Sequence, residues 1–288
     1  IEFKPFHVKG GSQALSNAIL NAFVTAGGRV RFNCGARRIL VEDNQVIGVK
    51  TDQGDTIETR FVVSNVSPME TYTNLVGKEL IPDTTLQEMN GRILSNSAFS
   101  MFIGFDCEPQ VLNFRESTNF LMASTDIDRS LHARMDQVDI RDELLVMSCY
   151  DISDPTFSPP GTCQVNLVTL KYGDPWLSIP PGQYHETKFR CAEAMLKRAE
   201  GIFPALRQHI EEIDIATPLT HMRYLGHPAG AVYGFESRTK DSFFFQPGVH
   251  TPVKGLTFAG GWVGDQGFEP TLRSGATAAR AILKQMNS

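Results

Sequence analysis

Nowhere in these 288 residues is there a G-x-G-x-x-G run, the glycine fingerprint with which a first βαβ unit holds a dinucleotide pyrophosphate. Basic clusters are missing too. The 27 Lys and Arg residues are scattered and outnumbered by 32 Asp and Glu, giving a net charge of −5 and no field that would favour nucleic acid as a partner. The five cysteines (Cys34, Cys107, Cys149, Cys163, Cys191) are odd in number and form no C-x-x-C pair. Their spacing argues against a disulfide framework and a zinc site, so no metal is expected, and it points to buried thiols in a reducing compartment. No stretch reaches the roughly 18 apolar residues needed to span a bilayer, and no charged-then-apolar leader opens the chain. The sequence therefore predicts a protein that is cytoplasmic or at most peripheral to a membrane. It opens "IEFKPFHVKGG" without an initiator Met and with its first helix close behind, the pattern of a piece of a larger protein.

Core-forming material is ample: 41% hydrophobic and 20% charged residues suffice for one large core or two connected ones. After "GGSQ", Leu15, Ala18, Ile19, Ala22 and Ala26 recur at helical spacing, with Ser12 as a cap and Gly27-Gly28 as a stop. "RVRFN", "ARRILVE", "QVIGVKT" and "TIETRFVVSN" read as strands, joined at "DN" and "DQGD" by turn chemistry. From "SPMETY" the pattern becomes irregular. "SAFSMFIGFD", "LLVMSCY" and "QVNLVTLKY" then suggest an antiparallel sheet, and Phe189, Ala192, Leu196, Ala199 and Phe203 another amphipathic helix. Asp151 and Asp154 fall among Ser, Pro and Gly residues that read as a solvated loop, and no role is assigned to them.

The segment Leu256 to Leu283, "LTFAGGWVGDQGFEPTLRSGATAARAIL", passes from an apolar strand through glycines into a small-residue helix. Such a turn brings backbone N–H groups and the positive end of a helix dipole to one point, where an anionic or electron-rich atom can sit. A plain strand–turn–helix connection accounts for the same residues without a ligand. Gly10-Gly11 also precede a helix and carry the same two readings.

Taken together, "GGSQALSNAILNAF…GGRVRFNCGARRILVEDNQVIGVKTDQGDTIETRFVVSNVSP", "TPLTHMRYLGHPAGAVYGFE" and "LTFAGGWVGDQGFEPTLRSGATAARAI" are more specific. In order and spacing they resemble the C-terminal two-thirds of the phytoene dehydrogenase-related FAD-dependent oxidoreductases. That group holds carotenoid desaturases and isomerases and retinol saturases, within the amine oxidase-like superfamily. The resemblance implies an α/β fold: part of a doubly wound FAD-binding domain with an inserted antiparallel-sheet substrate domain. Its boundaries would be 1–66 and 222–288 for the FAD-binding domain and 67–221 for the substrate domain. It implies Gly10 and Gly11 near the flavin, Ala36 on a strand passing the adenine, and Gly260 and Gly261 by the ribityl–pyrophosphate region. Gly267 and Phe268 would face the flavin N1–C2=O edge. Many relatives carry an acid directly after the "AG" of this turn; here that position is Gly261, and Asp265, four residues on, is the candidate to take its place. The FAD site is incomplete in this chain, so an N-terminal unit or a partner chain is expected to complete it.

The resemblance also sets His221, Arg223, Tyr224, His227 and Tyr233 near the substrate side of the flavin. There His221 would transfer protons, and Tyr224 and Tyr233 would orient a substrate. The alternative is a set of ordinary polar groups in a turn-rich connection. Trp176 and the 19 Phe residues offer walls for an apolar small-molecule substrate, though core packing accounts for most of them. The implied activity is hydride transfer between an isoprenoid or polyene and FAD, with peripheral membrane contact as a corollary. An amine oxidase-like enzyme for polar substrates and a non-catalytic scaffold are the rival expectations.

Overall fold

The structure, a computed structural model, describes residues 6–123, 137–141, 143–236, 248–263 and 267–287. It divides into two compact units: the residues up to Val30 with Ala98–Thr220, and Arg31–Ser97 with His221 onward.

Helix α1 runs Gly11–Thr25 and is led in by Gly10 at φ 79°. Ser12, expected as its cap, lies inside the first turn instead, because a left-handed glycine already starts the helix. No residue of α1 is buried, so its predicted apolar face finds no core in this unit. The expected strand "RVRFN" does not form: Val30 and Phe32 stay exposed and Asn33 turns to φ 52°. A strand exists only through a neighbouring strand, and no described segment supplies one here. Gln53 Nε2 holds the bend by donating to Asn33 O at 2.9 Å.

Strands β1 (Ala36–Glu42), β2 (Gln45–Thr51) and β3 (Thr56–Glu58) make the expected antiparallel meander. Asp43 and Asn44, at φ 46° and 59°, form the two-residue turn whose twist suits a hairpin. The third predicted strand is broken. Thr59 Oγ1 donates to Phe61 O and accepts from Phe61 N, and β4 (Val62–Ser64) leaves the meander for a parallel partner near the C-terminus. The stretch read as irregular then begins with a helix. Ser67 Oγ accepts from Glu70 N at 3.1 Å to start α2 (Pro68–Glu70), which continues into a π-helical turn over Thr71–Gly77, and α3 spans Asp83–Asn90. Ser-Pro-x-Glu is a helix-start signal in its own right.

A five-stranded sheet organises the other unit, in the order β6-β7-β8-β5-β9. Its members are β5 (Ser97–Phe105), β6 (Thr118–Leu121), β7 (Leu145–Ser148), β8 (Cys163–Lys171) and β9 (Ile210–Ala216). The pairs β6–β7, β7–β8 and β5–β9 are antiparallel. A short turn, α4 (Asp174–Leu177), buries Trp176 against Phe99, and α5 (Tyr184–Glu200) lays Cys191, Ala192, Met195, Leu196 and Ala199 on the same core. That core also encloses an ion pair. Lys171 Nζ donates to Glu143 Oε1 and to Asp139 O, each at 2.8 Å, with both side chains inaccessible; burial pushes the ammonium below the usual lysine range. Arg198 donates to Ile140 O and Leu121 O, so two cations fasten the described part of segment 137–143. Helices α6 (Pro218–Leu225) and α7 (Phe268–Met286) and strand β10 (Leu256–Phe258) complete the described α-helices and strands.

Candidate functional site

The terminal glycine turn is built on the parallel pair of β10 and β4, with Leu256 opposite Val62 and Phe258 opposite Ser64. Ala259 N continues the ladder to Ser64 O at 3.0 Å, and the chain then turns away at Gly260, φ 96°. Gly260 N donates to Ser274 Oγ at 2.7 Å, and Ser274 Oγ donates to Thr271 O at 2.6 Å, so the turn is tied to α7 across its own loop. A Cβ on Gly260 would lie 1.8 Å from Asn65 Oδ1; on Gly261 it would meet none of the described residues within 4 Å. The two glycines differ in kind: Gly260 is required by the backbone, and Gly261 leaves an open approach.

Trp262, buried behind the turn, donates from Nε1 to His227 Nε2 at 3.2 Å, while His227 Nδ1 is 2.8 Å from Ala231 O. A carbonyl only accepts and the indole N–H only donates, so the tautomer with its proton on Nδ1 fits both bonds and His227 is held from both sides. His227 thus positions the turn and has no free nitrogen for proton transfer.

Helix α7 starts at Phe268, itself 69% exposed, with Gly267 before it at φ 111° and no side-chain cap among the described residues. Pro270 brings no N–H, and the amides of Phe268 and Glu269 are left for an acceptor outside the helix. Glu269 pairs with Arg273 one turn on, Nε to Oε1 at 2.9 Å. Asp265 lies outside the described residues. Ala36 opens β1, exposed and paired with Thr51. A cavity of about 230 Å³ in the same unit is lined in part by Tyr72, Glu88, Arg92, Phe235, His250 and Phe258. Burial holds the Tyr72 hydroxyl protonated far above its ordinary range. Sequence reading singled out none of these six side chains, which come from distant segments.

Gly10 and Gly11 belong to the other unit. Gly10 N donates to Asp154 Oδ2 at 3.0 Å and Gly11 N to Val8 O at 2.8 Å, so both amides are already engaged. Asp154 is therefore not part of a solvated loop. It is buried, takes Thr156 Oγ1 and N at 2.6 and 3.1 Å, and these bonds hold its carboxyl below the usual range. Asp151 is also buried, accepting from Ser158 N and Gln164 N at 2.9 and 3.0 Å. Both carboxylates organise backbone, a role that loop composition conceals.

Among the described residues no hydrogen bond joins His221, Tyr224 and Tyr233 to one another. His221 is half-buried on α6 with Nε2 unpartnered, and burial lowers its pKa, which favours the neutral imidazole. Tyr224 is 79% exposed under the guanidinium of Arg223. Tyr233 is half-buried, its backbone N donating to Ser95 Oγ at 3.1 Å.

A strand–turn–helix offering uncapped amides and an open glycine fits the electron-rich edge of a flavin. The fold is that of FAD-dependent oxidoreductases. It matches an oxidoreductase from Methanosarcina mazei at TM-score 0.59 and 18% identity, over 96% of this chain and 55% of that one. A putrescine oxidase variant matches at TM-score 0.62 and 14% identity, over 96% and 53%. Residues 3–283 match the family described as flavin containing amine oxidoreductase, and the chain belongs to that family. A flavin is the cofactor this membership implies. Among curated relatives, prolycopene isomerase 2 of an Oncidium hybrid cultivar is 22% identical over 87% of this chain and 41% of its own length. The all-trans-retinol 13,14-reductase of Danio rerio is 23% identical over 97% and 50%, and the lycopene-forming phytoene desaturase of Pseudescherichia vulneris 22% over 83% and 48%. The chain thus spans about half the length of the curated relatives it matches. No described helix is long and apolar enough to cross a membrane.

Proposed function

We propose that this chain forms the C-terminal part of an FAD-dependent oxidoreductase acting on an apolar isoprenoid or polyene. The observation that carries the reading is the match along most of the chain to relatives named for prolycopene, retinol and phytoene. Bound FAD would supply the acceptor or donor of hydride. Gly260, Gly261, Gly267 and Phe268 would line its flavin end, with the amides of Phe268 and Glu269 stabilising charge that gathers at N1–C2=O on reduction. Ala36 is a further cofactor contact in this proposal, and Asp265 is the candidate for a ribityl hydroxyl. Neutral His221 would exchange a proton with substrate, Tyr233 would orient it, and Tyr224 would act at the substrate entrance.

The pyrophosphate anchor lies outside these residues in this proposal, on a G-x-G-x-x-G-bearing half of the fold. The exposed apolar faces support it. Helix α7 buries only Ser274 and Ala278 and leaves Leu272, Leu283 and Met286 exposed; α1 buries nothing. An apolar substrate dissolved in lipid would bring the enzyme into transient contact with a membrane surface.

The whole protein, presented with long polyenes or isoprenoids in detergent and separately with primary amines, should bleach its flavin or turn over with the polyenes and leave the amines nearly untouched. Oxidation of amines with polyenes ignored would replace this reading by the amine oxidase one.

A further inference from the structure

The ends of β5 and β9 bring three metal-binding side chains together. Asp106 and Cys107 follow β5 directly, and His209 immediately precedes β9. The β5–β9 ladder carries a register shift between Gly104 and Phe105, and Asp106 N donates to His209 O at 3.1 Å just beyond it. Irregular pairing of this kind re-aims side chains at a sheet end. One oxygen of Asp106, Cys107 Sγ and one ring nitrogen of His209 all lie within 4.8 Å of one another. His209 Nδ1 is 2.8 Å from Asp106 Oδ1. A surface ion pair would account for those two groups, but it leaves unexplained why the sulfur of Cys107, a buried residue only 8% exposed, is aimed at the same point.

We propose that Asp106, Cys107 and His209 form a three-ligand site for a zinc-class divalent transition metal ion. One sulfur, one imidazole nitrogen and one carboxylate oxygen suit zinc or cobalt, whereas magnesium and calcium take oxygen sets. Metal–ligand bonds of about 2.0–2.3 Å place tetrahedral ligands roughly 3.3–3.8 Å apart, so small rotations of the three side chains close them on an ion. On binding, the Cys107 S–H bond breaks, its proton passes to solvent, and a sulfur–metal bond forms with no change of oxidation state. Asp106 is 60% and His209 27% exposed at the side chain, which leaves the fourth position to water on the solvent side. The ion would clamp the β5 and β9 ends together and raise the stability of the sheet that holds them. Spacing could not show this site, because its ligands come from two remote segments and form no C-x-x-C pair.

The test is a Co(II) titration of the full chain, reduced and stripped of metal, followed by absorption. A thiolate-to-cobalt charge-transfer band with tetrahedral visible bands should appear at one equivalent and vanish when Zn(II) is added. It should be lost in Cys107→Ser and His209→Gln and kept in Cys34→Ser. His209→Gln alters a partly exposed side chain, so it decides the matter even where Cys107→Ser fails to fold. Absence of the band from the wild-type chain, or its persistence in His209→Gln or in folded Cys107→Ser, overturns the proposal.

Discussion

Glu143→Ala is expected to cost about 3–5 kcal/mol of unfolding free energy, because it breaks a buried ion pair by removing the carboxylate 2.8 Å from the Lys171 ammonium. Lys171 and Glu143 are 0% and 1% exposed at the side chain, so the charges are held out of water. The double substitution Lys171→Met with Glu143→Leu should recover most of the loss, since removing both charges also removes the cost of burying them. Urea denaturation of the single and double variants checks this. A loss below about 1 kcal/mol for Glu143→Ala would mean that the pair is not a buried ionic contact.

Gly260→Val has the second large expected effect. A side chain at φ 96° carries left-handed strain of about 1–2 kcal/mol, and its Cβ must displace the Asn65 amide that would otherwise lie 1.8 Å away. A branched residue adds overpacking, for a total near 2–4 kcal/mol and a turn shifted off the Gly260 N to Ser274 Oγ bond. Gly261→Ala, with open space around its Cβ and no positive φ, should stay within about 0.5 kcal/mol. Thermal melts of the pair separate the readings: equal behaviour of the two variants would show that the turn is not held as described.

Local signals carried the hairpin, the first helix, α5 and the strand–turn–helix, because each rests on periodicity or turn chemistry within a few residues. Asp43-Asn44 specified its turn unaided. What escaped was set by partners far along the chain. "RVRFN" has strand composition but no ladder, while β4 is only three residues long and exists through its pairing with β10. Strand β9 is legible in the alternation Ile213-Asp214-Ile215, and α2 in Ser67-Pro68-Met69-Glu70, both short signals inside a stretch of irregular composition. At the site, the glycines announced themselves by pattern. Asp154 holding Gly10, and Trp262 fixing the tautomer of His227, did not, since each joins residues whose types alone suggest solvent or core. The same limit applies to Asp106, Cys107 and His209.

FAD affinity in protein that carries the N-terminal half of the fold, measured for wild type and for Gly267→Val by quenching of flavin fluorescence, tests the placement of the flavin at the terminal turn most directly. Gly267 precedes α7 at φ 111°, and among the described residues an added Cβ would meet only Pro270 Cδ at 3.9 Å, so folding should suffer little beyond the local backbone strain. A branched side chain would nevertheless stand in the approach to the Phe268 and Glu269 amides. Kd for FAD is predicted to rise about tenfold, the loss of one hydrogen bond to the flavin edge, with the melting temperature of the flavin-free protein changed by only a few degrees. Unchanged FAD affinity in a folded Gly267→Val protein would contradict the placement of the flavin at this turn.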